Sequence, residues 1–215
     1  MKRLLAILIA FLMIFCLTAC ETEEPTVGYT VSLPRTETET NFVQFTMSDG
    51  MTFVIELCPQ YAPATVLHFK ELVSEGFYDG LTFHRIYEGF MIQGGDPDGD
   101  GISSPDQKTV YGEFSDNGFS QNILSHERGV ISMARLSNDY DSATSQFFIM
   151  HETNTRLDGQ YAAFGRVVAG MESIDVLATV PVTYQSYSNE RSKPVTPPVI
   201  QSAYFVDYTA PAAGN

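Results

Sequence analysis

Along residues 42–57 the chain alternates with a period of two, as FVQFTM and MTFVIEL on either side of Ser48-Asp49-Gly50. Two short strand-like runs around such a step predict a β-hairpin. The period then changes. From Pro63, PATVLHFKELVSEG sets Val66, Phe69, Leu72 and Val73 at helical spacing, and Gly76 follows them. Proline at the opening and glycine at the close predict one amphipathic helix. Strand-like runs return at LTFHRIY, FMIQGG, GVISMA, SQFFIM, AAFGRVV and VIQSAYFVDY, with a second short helix predicted over 171–178, behind Gly170. Many short strands, abundant glycine and two helices predict a mainly β domain, a closed antiparallel barrel or a sandwich. No internal repeat is evident.

One of these runs is apolar on both faces. In SQFFIM, Gln146 and Phe148 share one side while Phe147 and Ile149 share the other. A strand covered on both sides has the core on one and room for a ligand groove on the other. In LTFHRIYEGFMIQGGD, Glu88-Gly89 forms a turn between two strands, and alternation groups Met91 with Gln93. Arg85 lies among these apolar residues. It is either a surface strand residue or a cation held beside an apolar pocket to meet a ligand.

The first twenty residues follow a different pattern. Lys2 and Arg3 precede an apolar run over 4–15, then Leu17-Thr18-Ala19-Cys20 and acidic residues. A basic start, a short apolar stretch and small residues at the cut predict a signal peptide over 1–19. A membrane span is the competing reading, but the run is short and no basic stop-transfer cluster follows. LTAC resembles the bacterial lipoprotein box, which implies lipidation of Cys20 and a stable anchor at the extracytoplasmic face of a bacterial cell membrane. Residues 20–40, acidic and Thr-rich, are expected to be a tether, with an ordered strand at YTVSL as the alternative. Residues 209–215 are expected to be a flexible tail.

Composition narrows the partners. The chain of 215 residues carries a net charge of −14, and loss of 1–19 leaves ten basic against 26 acidic residues. Such a surface repels nucleic acid. Cys58 remains alone once Cys16 leaves and Cys20 is lipidated, so no internal disulfide is expected and Cys58 is read as a small buried hydrophobe.

FHRIYEGFMIQGGD, YGEF at 111–114, GVISMAR at 129–135, SQFFI at 145–149 and LDGQYAAFGRV at 157–167 together resemble the cyclophilin-type peptidyl-prolyl cis–trans isomerases. The motifs keep the family's order over about residues 41–208. The resemblance implies an eight-stranded antiparallel barrel, closed and capped by two helices. It assigns the catalytic arginine to Arg85 and the proline pocket to Phe90, Met91, Phe148 and Leu157. Gln93, counted with Arg85 as catalytic, and Gln146 would bond the peptide backbone, with Ala134, Arg135 and Tyr161 lining the groove and a glycine from Gly99-Asp100-Gly101 nearby. The implied partners are proline-containing segments of unfolded or exported proteins.

The chemistry fits those residue types. Turning an X–Pro bond breaks amide resonance against a barrier of ~18–20 kcal/mol. No bond to carbon breaks, so no nucleophile, metal or cofactor is needed, and a monomer suffices. Acceleration of about 10⁵-fold requires the twisted amide to be bound about 7 kcal/mol better than the planar forms.

Two positions depart from the family. Arg156 stands where many eukaryotic members carry a Trp that contacts cyclosporin, which implies weaker drug binding. Tyr161 stands at the groove histidine. The remaining histidines, His68, His84, His126 and His151, have no metal-ligand spacing, and HETNT lacks the second histidine of the zinc-protease pattern. DPDGDGISSPDQ opens like a calcium loop at Asp96, Asp98, Asp100 and Gly101, but Gln107 takes the place of the closing Glu and Pro105 intrudes. Two further functions therefore stand beside an exported foldase: a proline-binding chaperone module with little turnover, and a calcium-stabilised surface protein.

Overall fold

Alternation becomes register in the computed structural model, which describes residues 29–102, 106–186 and 188–209. The expected signal segment, Cys20 and residues 210–215 of the expected tail lie outside the described residues. Strands β1 (Phe42–Met47) and β2 (Thr52–Leu57) form the expected hairpin, with Phe45 opposite Phe53. Asp49 Oδ1 accepts the Met51 N–H at 3.0 Å, and Gly50 takes the left-handed conformation the turn requires.

Helix α1 (Pro63–Ser74) buries Val66, Phe69 and Val73. Ala62, at its N-cap, has no side-chain acceptor, and Glu113 supplies one from a distant loop. Its Oε1 accepts the Ala64 N–H at 3.0 Å, and its Oε2 accepts the Thr65 N–H at 2.8 Å and the Thr65 hydroxyl at 2.7 Å. A buried carboxylate thus satisfies first-turn amides that have no acceptor within the helix.

The chain continues through β3 (Thr82–Tyr87), β4 (Met91–Asp96), β5 (Val130–Met133), β6 (Phe147–Met150) and β7 (Ala163–Ala169). Helix α2 (Met171–Ala178) follows, then β8 (Val182–Tyr184), β9 (Arg191–Pro194) and β10 (Ile200–Phe205). Eight strands form one antiparallel sheet in the order β10-β1-β2-β7-β5-β6-β4-β3. Its concave side holds Phe45, Phe53, Phe69, Phe83, Phe147 and Phe164, all fully buried.

The expected closed barrel is corrected. The sheet is an open, curled half-barrel, whose end strands β3 and β10 share no ladder. Across the gap stand one isolated bridge, Thr82–Val199, and scattered backbone bonds such as Phe83 N–H to Pro198 O at 3.0 Å. Pro197 and Pro198 lead into β10 and carry no N–H, so a ladder cannot run through them.

Strands β8 and β9 form a separate two-stranded hairpin absent from the sequence expectation. Residues 29–40, expected as the end of the tether, lie against the domain. Tyr29 N–H donates to Ser173 Oγ at 3.1 Å, Leu33 N–H to Gln44 Oε1 at 2.9 Å, and Arg35 bridges Val206. Cys58 is buried, and burial pushes its thiol pKa up, which keeps it in its unreactive form.

Candidate active site

Strands β4, β5 and β6 carry a second apolar cluster on the convex face of the sheet: Met91, Val130, Phe148 and Met150, with Ala163 from β7. Register explains it. Met91 pairs with Met150, and Gln93 with Phe148, while Ile92, Phe147 and Ile149 turn to the core. Phe90, Ala134, Leu157 and Tyr161 pack around the cluster and leave a cleft of about 380 Å³.

Gly95 fixes how closely β4 approaches the start of β6. Its φ is +82°, and a Cβ there would lie 2.6 Å from Ser145 O. No other residue fits. Asp96, almost fully buried, then turns Oδ2 onto the backbone N–H groups of Asp100 at 2.9 Å and Gly101 at 2.8 Å. That carboxylate draws Gly101 to the cleft wall. In the stretch read as an alternative calcium loop, this oxygen of the first acidic residue serves the loop's own backbone. Among the described residues no group of three or more His, Cys, Asp or Glu side chains converges as a metal site would need.

Arg85 reaches the cleft from β3, with its side chain about a quarter exposed. Its Nη1 donates to Gln93 Oε1 at 3.1 Å, and Gln93 Nε2 donates to Gln146 Oε1 at 2.9 Å. Gln146 is buried, so the pair of glutamines forms a fixed polar floor beside the apolar wall. On its other edge Arg85 meets Glu190, from the loop between β8 and β9. Nε donates to Oε1 at 2.6 Å and Nη2 to Oε2 at 2.7 Å. The Arg85 hydrogen bond, against burial and with help from Ser192, holds Glu190 below the usual carboxylate range.

The apolar wall is built with equal care. His126, fully buried, stacks on Phe148 with ring centroids 6.0 Å apart, and Tyr161 meets Phe148 edge-on at 5.6 Å. Burial lowers the His126 pKa despite Asp158, so the ring is neutral at pH 7. Its Nδ1–H donates to Asp158 at 2.9 Å, and Nε2 accepts the Ser132 hydroxyl at 3.1 Å. The arrangement of Ser, His and Asp is therefore a buried support for Phe148 rather than a nucleophile open to substrate. Arg135 lies over Tyr161 at 4.6 Å, Tyr140 at 4.7 Å and Phe114 at 5.4 Å.

Of the residues assigned from the sequence, Arg85, Phe90, Met91, Gln93, Ala134, Arg135, Phe148, Leu157 and Tyr161 all line this cleft. Gln146 stands behind Gln93 rather than on the wall. Arg156 is exposed. Ser188 and Glu190 line the cleft without having been assigned. Their stretch, SNERSKP, carries no apolar period and no motif, so nothing local marks it.

Residues 31–204 match the family model described as cyclophilin type peptidyl-prolyl cis-trans isomerase/CLD. The chain is 44% identical over 128 residues to peptidyl-prolyl cis-trans isomerase B of Bacillus subtilis, covering 60% of this chain and 84% of that one. It is 43% identical over 175 residues to peptidyl-prolyl cis-trans isomerase A of Dickeya dadantii, covering 79% and 86%. Among solved structures, a Cryptosporidium parvum cyclophilin type isomerase, crystallised in the presence of the dipeptide Ala-Pro, superposes with a TM-score of 0.65. That pair is 28% identical and covers 78% of this chain and 99% of the other.

Proposed function

From the premise that this chain belongs to the cyclophilin-type peptidyl-prolyl cis–trans isomerases, we propose that it accelerates folding of exported proteins while anchored through Cys20 at the outer face of a bacterial cell membrane. The isomerase activity belongs to the family. The site assignment, the clients and the location are our reading.

One observation carries the site: the Arg85 guanidinium sits 3.1 Å from Gln93 on a cleft whose wall is Phe90, Met91 and Phe148. In the twisted state the imide nitrogen becomes pyramidal and regains its lone pair. Arg85, always charged, donates to that nitrogen or to the neighbouring carbonyl oxygen. The ring of the substrate proline enters the apolar wall and is held while the preceding carbonyl turns. Gln93, fixed by Gln146, bonds the peptide backbone, with Ala134 and Arg135 along the groove. Water excluded by the wall strengthens the bond from the guanidinium. Favouring the contorted amide in this way raises the rate without any covalent step.

Support for the anchor is the sequence itself, with its basic start, apolar run and LTAC box before an acidic stretch. A coupled proteolysis assay on a short X–Pro peptide, wild type against Arg85→Ala, tests the site. Loss of about 100-fold in kcat/KM is expected; a variant as fast as wild type removes Arg85 from the mechanism. Cys20→Ser, followed by membrane fractionation, is expected to move the protein to the soluble fraction. If it stays with the membrane, the lipid anchor is wrong.

A further inference from the structure

Between β8 and β9 the chain forms a loop closed by a Gln185 N–H bond to Glu190 O at 2.9 Å. Inside it, Gln185 Nε2 donates to Ser192 Oγ at 3.1 Å, and the Ser192 hydroxyl donates to Glu190 Oε1 at 2.5 Å. Gln185 and Ser192 are both buried. The Glu190 carboxylate then takes Nε and Nη2 of Arg85, whose Nη1 engages Gln93, which engages Gln146. Six side chains thus form one continuous polar chain, from the hairpin through the guanidinium to the floor of the cleft. Strand β9 packs against β3, the strand that bears Arg85, which holds the hairpin beside the guanidinium.

We infer that Glu190 is a positioning residue for the isomerase reaction, a carboxylate clamp that sets the Arg85 guanidinium in the orientation the twisted amide requires. The inference rests on Arg85 being the catalytic cation. An arginine on a flexible stem explores many rotamers, and catalysis by a preorganised donor depends on removing that freedom before substrate arrives. Two parallel bonds at 2.6 and 2.7 Å fix the plane of the guanidinium as well as its place. A carboxylate also draws charge from the cation, which works against catalysis. Orientation prevails here because Glu190 takes the edge bearing Nε and Nη2, whereas Nη1 is the nitrogen beside Gln93. Ser188 and Glu190 line the cleft together, so the hairpin is part of the site wall and not a remote brace.

The test measures kcat and peptide affinity separately, by NMR exchange on an X–Pro peptide, for wild type, Glu190→Gln, Glu190→Asp, Arg85→Ala and the double variant Arg85→Ala/Glu190→Gln. Glu190→Gln keeps the shape and removes the charge; kcat is expected to fall about 10-fold while peptide affinity changes less than about 2-fold. Glu190→Asp, with the carboxylate withdrawn by one methylene, is expected between the two. Adding Glu190→Gln to Arg85→Ala is expected to change nothing further, since the clamp acts only through Arg85. A wild-type or higher kcat in Glu190→Gln, with Arg85→Ala impaired, overturns the clamp and leaves the site assignment standing. Full activity in Arg85→Ala overturns both.

Discussion

Three aromatic rings surround the guanidinium of Arg135, and its N–H groups are directed at the backbone oxygens of Gln160 and Leu136 at 3.0 and 2.8 Å. That environment makes it a brace for Tyr161 more than a contact for substrate. Tyr161 presents its edge to Phe148, so the cleft wall is aromatic there. In Arg135→Ala the ring loses its cover, and a cation–π contact of about 0.5–1 kcal/mol predicts a KM raised roughly 2–5-fold with kcat little changed. Steady-state kinetics on a proline peptide checks it. At this scale the sequence yields Arg85, Gln93, Met91 and Phe148, because they fall in contiguous strands where alternation and motif coincide. Glu190 escapes it. The residue lies 105 positions from Arg85 in a polar stretch, and only the docking of one hairpin on another strand joins them.

Among the elements, α1 illustrates how a pattern can be visible while its support is not. Periodicity marks the helix, and YGEF is quotable as a motif, yet the purpose of Glu113 depends on contacts 48 and 49 residues back along the chain. Glu113→Ala removes three bonds to a buried carboxylate and leaves the Ala64 and Thr65 amides without acceptors. A loss of about 3 kcal/mol in stability is expected from denaturant unfolding, with kcat unchanged in the folded fraction. Strands with alternating apolar residues were all legible. The β8–β9 hairpin was not, since VTY and RSKP offer no sustained period and β9 is half exposed. Closure of the sheet was one of two outcomes the strand pattern allowed and the one the resemblance implied, and the consecutive prolines before β10 explain why it fails.

For the whole molecule, acid sensitivity follows from two buried histidines. Burial is the first cause that holds both His84 and His126 below their ordinary value of 6.5. Below that value the unfolded chain takes up protons at these sites that the folded chain resists. Their contribution to stability is therefore complete above pH 6.5 and is lost as pH falls through the folded values. Melting temperature is expected to be level between about pH 7 and 8 and to fall towards pH 5. In His84→Asn the fall should be shallower; an identical slope would assign the effect elsewhere. His84 is the better position for that variant because both its ring nitrogens are buried without a hydrogen-bond partner, whereas His126 also supports Phe148.

The sheet order sets β1 between β2 and β10, with Val43 opposite Phe205 and Phe45 opposite Ala203. Synthesis delivers β1 early and β10 last, with nearly the entire domain in between. Until the C-terminal strand emerges, β1 has one bare edge and the stacked rings of Phe45 and Phe53 have no lid on that side. Local turns and helices can assemble meanwhile, but the decisive pairing spans the longest loop available. Completion of this domain's sheet is therefore a late event, which waits until β10 is free to pair with β1.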